Sequence, residues 1–287
     1  MGWGSWGALG FVLALSGSAH GIIMGQIVNP QDRIARSTVM LLHTGFMETG
    51  RGLCSGTLVA QDLVMTAAHC VVNLENGEPY PASRFRIYFG NFHRAEDGTH
   101  DWMESRARDV RQVIPHEGYK IPYNGGDLHD IALVRLKDEA PSDFEPATLL
   151  TDLSVLGEKQ PVTIAGFGNI KYYGDPSEPR SRLLRSFKTF VHSARNEKTG
   201  MVTFVRPTTI RTDDEYRLAV GGMAGGDSGG PGFVEVGSEL LVFGVASGYR
   251  DDFASYENVP THLEWLRETA RRLQSCLAPQ SGAHCAP

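Results

Sequence analysis

The chain has 287 residues, 41% hydrophobic and 21% charged, with a formal net charge of −6 at pH 7. That length suits one large domain or two small ones, and the apolar content can build a sizeable core. The acidic balance, with a pI of about 5.9, argues against a general nucleic-acid binder, which would carry a basic patch.

Residues 1–21, "MGWGSWGALGFVLALSGSAHG", contain no Lys, Arg, Asp or Glu. The apolar run Ala8–Leu15 is followed by small residues, the pattern of a secretory signal peptide, although only the terminal amine charges its start. No segment is apolar for long enough to cross a bilayer, so no membrane anchor is expected. Export would place the protein in an extracellular or periplasmic compartment and its four cysteines, Cys54, Cys70, Cys276 and Cys285, under oxidising conditions. Three pairings are open to four cysteines; proximity favours Cys54–Cys70 and Cys276–Cys285. Intermolecular bonding or free thiols remain alternatives for the second pair.

From residue 22 onward, short β-type runs alternate with Gly, Pro, Asn and Asp: "STVMLL", "GTLVA", "DLVMTA", "FRIYFG", "IALVRL", "PVTIAGFG", "LLRSFKTFV", "MVTFVRP" and "LLVFGVAS". Such spacing predicts an all-β barrel or sandwich. One helix is expected over 261–274, "THLEWLRETARRLQ", with Thr261 and Glu264 as a capping box. Leu263, Leu266, Ala270 and Leu273 give it one apolar face. Residues 275–287 read as a surface tail closed by Cys276–Cys285. No Asn-x-Ser/Thr sequon occurs, so no N-glycan is expected.

Three segments carry chemistry: "TAAHC" with His69, "DIALVRL" with Asp130, and "GGMAGGDSGGPG" with Ser228. A serine hydroxyl is a weak nucleophile at neutral pH and needs a base within hydrogen-bond reach; the base needs an orienting, charge-compensating partner. Charge developing on an attacked carbonyl needs N–H groups aimed at it, and glycine allows the necessary backbone shape. Each segment alone is a weak signal; together, in the order His, Asp, Ser, they are not independent.

In these segments the chain resembles the trypsin/chymotrypsin-like serine proteases. "CSGTLVAQDLVMTAAHC", "HDIALVRL", "VTIAGFG", "GDSGGP" and "YENVPTHLEWL" carry the resemblance over nearly the whole length from Ile22. It implies two antiparallel six-stranded β-barrels, over 22–147 and 148–260, with a C-terminal α-helix over 261–274. Ser228 would be the nucleophile, His69 the general base and Asp130 its orienting partner. The N–H groups of Gly226 and Ser228 would form the oxyanion hole. The Cys54–Cys70 disulfide would bracket the histidine segment. A freshly exposed amine at Ile22 would pair with Asp227; Met24 departs from the usual glycine, and Ile27 is a poorer second start by spacing. Cleavage after Gly21 would expose Ile22 directly, while cleavage after Ala19 would leave His20-Gly21 as a two-residue pro-segment.

The same resemblance places the specificity pocket at Gly222, Met223, Ser247, Tyr249 and Ala254. Trypsin-like members carry Asp where this chain has Gly222, so small or apolar side chains are favoured over Lys or Arg, because an unpaired buried cation is costly. Asp251 or Asp252 reaching inward would restore a basic preference. Ala224 replaces the cysteine that usually braces the pocket. Near "GNFHRAEDG", Asn91 stands where the family's calcium loop has an acid, and neither a metal nor a cofactor is expected. The expected partners are protein or peptide substrates and protein protease inhibitors, with the chain a monomer. The rival readings are a non-catalytic binding protein on the same fold and an acyl hydrolase with a G-x-S-x-G serine. The hydrolase fold would need the order Ser, Asp, His and alternating helices. A phosphate-binding loop fails because no Gly-Lys-Ser/Thr follows the glycines.

Overall fold

A computed structural model describes residues 22, 25–43, 52–91, 106–120, 129–169, 183–193, 202–205, 222–250 and 253–278, with only the backbone at 193, 202–205, 249, 250 and 253. The expected signal segment and Cys285 lie outside the described residues. Strand β1 (Gln26–Ile27) and a short helix α1 (Arg33–Ser37), which the sequence pattern did not suggest, lead into the first β-unit. That unit comprises β2 (Thr38–His43), β3 (Leu53–Ala60), β4 (Leu63–Thr66), β5 (Phe85–Phe89), β6 (Ala107–Pro115) and β7 (Ala132–Leu136). They close into an antiparallel barrel in the order β2-β3-β4-β7-β6-β5.

Strands β2, β3, β4 and β7 are buried on both faces, which explains why they read as continuous apolar runs rather than alternating ones, while β6 leaves Asp109, Arg111 and Gln112 exposed. The period of two survives in what each face touches. Val39, Leu41, Val64, Ala132 and Val134 fill the barrel interior. Their neighbours Met40, Leu42, Leu63, Met65 and Leu133 point outward into a second cluster shared with Phe167, Phe233, Val242 and Val245 from the other half of the chain. One strand set therefore builds both a barrel core and the seam between halves.

The second half contains β8 (Thr148–Leu149), β9 (Pro161–Gly166), β10 (Arg185–Ser193), β11 (Val202–Val205), β12 (Pro231–Val236), β13 (Glu239–Arg250) and β14 (Phe253–Asn258). It forms an eight-stranded sheet in which β10-β11-β14-β13-β12-β9 closes through the β9–β10 pairing. The other two strands, β1 and β8, are added on β10 and β13. The two expected six-stranded barrels are thus present, the second widened by two short strands. Its interior holds Val162, Ile164, Val234, Phe243 and Tyr256.

Helix α2 (Leu263–Arg272) packs Leu266 and Ala270 on the seam. It is shorter than the expected 261–274. A 3-10 turn (Val259–His262) takes its first residues, and the cap position falls on His262 without a side-chain cap bond. The Thr261–Glu264 capping box is therefore not formed: the proline at 260 is used one turn earlier, in the tighter helix.

Cys54 in β3 is bonded to Cys70, with Cα atoms 6.3 Å apart across a sequence separation of 16. Cys276 is also disulfide-bonded, its expected partner Cys285 lying outside the described residues. A loop the size of the first costs the unfolded chain about 3 kcal/mol of closure entropy. The Cys54→Ala/Cys70→Ala double variant is expected to lose about that much stability, read as a lower urea midpoint with a slope equal to or steeper than that of the natural chain, because the freed unfolded state is more expanded. An unmoved midpoint would refute it.

Candidate active site

His69 is delivered by a 3-10 turn (Ala68–Cys70) just past β4, anchored one residue later by the disulfide. Asp130 stands just ahead of β7 and has no exposed surface. Its Oδ1 accepts the His69 N–H at 2.9 Å, and its Oδ2 lies 2.7 Å from His69 Nδ1. Oδ2 also accepts the Ser247 hydroxyl at 2.6 Å. Burial pushes the Asp130 carboxyl up, but the His69 charge and the hydrogen bonds from His69 and Ser247 outweigh it and hold the group below the usual carboxylate range. An ionised carboxylate only accepts, so Nδ1 carries a proton, and whenever the ring is neutral its lone pair is on Nε2.

Ser228 lies in a glycine loop pinned between the two halves. Its carbonyl accepts Ser55 N–H at 2.8 Å and lies 3.7 Å from Cys70 Sγ, beside the His69 turn. Gly229 N–H donates to Ala246 O, and Gly230 N–H to Asp227 O. The N–H groups of Gly226 and Ser228 have no protein partner among the described residues. Gly229 (φ +80°) is required twice over: a Cβ there would sit 2.0 Å from Thr66 Oγ1 and 2.4 Å from Ser55 O. Ser55 fastens the same loop again, its hydroxyl donating to Gly226 O and accepting from Phe167 N–H.

Asp227 points the other way, into the second half, and is 1% exposed. Its carboxylate accepts Gly168 N–H at 2.7 Å and Ala224 N–H at 2.8 Å. A Cβ on Gly166 or Gly168 would stand 2.3 or 2.5 Å from that carboxylate. Ile22 is buried in the cluster that holds Tyr256, and Gly25 N–H donates to its carbonyl. Burial, then the Asp227 charge, raises the Tyr256 phenol well above its ordinary value.

The expected specificity residues are placed unevenly. A Cβ on Gly222 would meet nothing within 4 Å. Met223 and Ala254 are partly buried against the second-half core. Tyr249 pairs with Ala254 in the β13–β14 ladder, its side chain lying outside the described residues, as do Asp251 and Asp252. Ser247 is buried and its hydroxyl is spent on Asp130. Asn91 accepts Leu184 N–H, and the acids of 92–100 lie outside the described residues.

Sequence reasoning missed three side chains: the Ser247 hydroxyl, Ser55, and Glu257, whose Oε2 accepts the Asp130 N–H at a longer 3.4 Å. Each lies in a strand with nothing around it that differs from ordinary packing, so no local signal marked them. No helix among the described residues is long and apolar enough to cross a membrane.

A family model described as Trypsin matches residues 29–265. The chain is 29% identical to "Serine protease SP24D" of Anopheles gambiae over 76% of this chain and 72% of that protein. It is 29% identical to the "Phenoloxidase-activating enzyme" of Bombyx mori, over 76% of this chain and 54% of that protein. To "Serine protease SSP1" of Scolopendra subspinipes it is 28% identical, over 85% and 86% of the two chains. Matched over most of its length and folded into two antiparallel barrels, the chain belongs to the trypsin-like serine protease family.

Proposed function

We propose that this protein is an exported serine endopeptidase working through Ser228, His69 and Asp130. The observation that carries the reading is the buried Asp130 carboxylate 2.7 Å from His69 Nδ1, which leaves Nε2 as the base. Ser228 Oγ attacks the scissile carbonyl while its proton passes to Nε2. The resulting imidazolium is stabilised by Asp130 and then protonates the leaving amine. Water, deprotonated by the same nitrogen, hydrolyses the acyl-enzyme. Proton transfer of this kind contributes about 10²–10⁴-fold. The unpartnered N–H groups of Gly226 and Ser228 receive the oxyanion, where one donor is worth about 10²–10³-fold.

The amine of Ile22, once freed, is the partner for the Asp227 carboxylate. Ile22 already lies buried in the core of the second half, and the carboxylate is held by Gly168 and Ala224. The substrates are peptide bonds beside small or apolar residues, because no acid stands at Gly222, Met223, Ala224 or Gly225. Protein inhibitors shaped like substrates would bind the same cleft, and the unit works as a monomer.

Ser228→Ala is expected to lower peptide cleavage by at least about 10⁴-fold and to abolish fluorophosphonate labelling, with unchanged urea unfolding. Equal cleavage by the variant, or no labelling of the natural chain, refutes the mechanism; the latter would indicate a binding protein on this fold. Sequencing the exported protein should find its N-terminus at Ile22, and a start upstream of His20 or well past Ile22 refutes the activation scheme. Ser247→Ala should cost about 1.5–3 kcal/mol at pH 7, the worth of a hydrogen bond to a charge. The lowered native value of Asp130 means its charge stabilises the fold above its unfolded value of about 3.9. That stability is lost as pH falls through the native value. Without Ser247 the native value rises, so unfolding on acidification should begin at higher pH; superimposable acid limbs would refute this.

A further inference from the structure

We propose that His116, His129 and His262 form a binding site for one divalent zinc-type ion, distinct from the peptidase centre. The three come from separate places: just past β6, the turn before β7, and the 3-10 turn ahead of α2. The His116 and His129 rings stack with centroids 4.5 Å apart, and His262 stands edge-on to them at 5.2 and 5.3 Å. One ring nitrogen of each lies within 4.8 Å of the others. Nitrogens around a tetrahedral zinc stand about 3.3 Å apart, so closing the set asks for shifts of at most about 1.5 Å. Ring rotation supplies them. His116 leaves the stack and gives up the Gly118 N–H that its Nδ1 accepts at 3.0 Å.

Packing alone accounts for stacked rings, but three further observations go beyond it. His129 Nδ1 is buried with no hydrogen-bond partner among the described residues, a cost that a ligand would relieve. His262 Nε2 lies 2.5 Å from Glu257 Oε1, with both residues nearly fully buried. A carboxylate on one ring nitrogen sets the lone pair on the other, the arrangement that orients metal-binding histidines. His129 also holds a φ of 57°, uncommon for a residue other than glycine, though histidine adopts it more readily than most, and such conformations cluster at functional positions. The donor set is all imidazole, which suits zinc, nickel or copper; calcium and magnesium require oxygen ligands. Trp265 walls the site, its ring 4.9 Å from His116 and its N–H held by Glu117. Water takes the fourth position on the partly exposed side. The second compact group, Cys54, His69 and Cys70, offers no such site because both sulfurs are spent in the disulfide.

The test is calorimetric titration of tag-free, EDTA-treated protein with Zn²⁺, and with Co²⁺ for its visible absorption. It reads metal binding and needs no peptidase activity. One ion per chain and a tetrahedral Co²⁺ spectrum are expected, without displacement by Ca²⁺ or Mg²⁺. His129→Gln and His262→Gln should abolish binding. Glu257→Gln should weaken it about 10–100-fold, and His69→Gln should leave it intact. Should a buried variant fail to fold, His116→Gln, at a partly exposed position, should give the same loss. Absence of saturable binding overturns the proposal. So does binding that survives the cluster variants or disappears with His69→Gln.

Discussion

The carboxylate of Asp130 is a charge with no water around it, and the surrounding structure supplies what water would have given. Burying such a group alone would neutralise it. Here the His69 main chain and ring and the Ser247 hydroxyl converge on its two oxygens. These contacts fix the ring's tautomer and orientation and tie elements from both barrels to one atom group. His69 and Asp130 belong to the first barrel and Ser247 to β13 of the second. The bond from Ser247 therefore exists only with the halves docked. A second buried acid, Glu257, stands just behind, hydrogen-bonded to His262 Nε2. Two acids can share so small a buried volume because each has its own hydrogen-bonding partners.

The same economy governs the strands. Alternate residues of β2, β4 and β7 serve either the barrel interior or the seam. A shift of one residue in register would thus exchange two cores, not merely expose one. The seam is where Asp130, His69 and the Ser228 loop meet, so the register that packs Met40 and Leu133 also sets the site's geometry.

Much of this was legible in the sequence. The apolar runs gave nearly all the strands, and the His69, Asp130 and Ser228 segments came with enough flanking pattern to imply the family and the Cys54–Cys70 bond. What escaped has physical causes. Helix α1 is five residues long, too short to show a period. The α2 cap failed because a 3-10 turn competes for the same residues. Ser247 was expected only as a specificity-pocket residue; its hydroxyl bond to Asp130 was not foreseen, since a hydroxyl's direction depends on what lies across the seam. The Glu257–His262 pair and the histidine cluster join residues up to 146 positions apart, counted from His116 to His262. No short window along the chain contains all three histidines, and Glu257 and His262, five positions apart, meet only because the 3-10 turn folds one back on the other.

Ser55 has a consequence for the life of the chain before it is finished. Its amide, hydroxyl and carbonyl hold the Ser228 carbonyl, the Gly226 carbonyl, the Phe167 amide and the Thr66 hydroxyl. A single residue of the N-terminal half thereby completes a loop made some 170 residues later. During synthesis the first barrel can form while the glycine loop is still unmade or slack. Under the mechanism proposed above, a nascent or half-folded chain whose Ser228 loop is not yet fastened by Ser55 has no means of cutting its neighbours, a safeguard that acts before any release of the Ile22 amine.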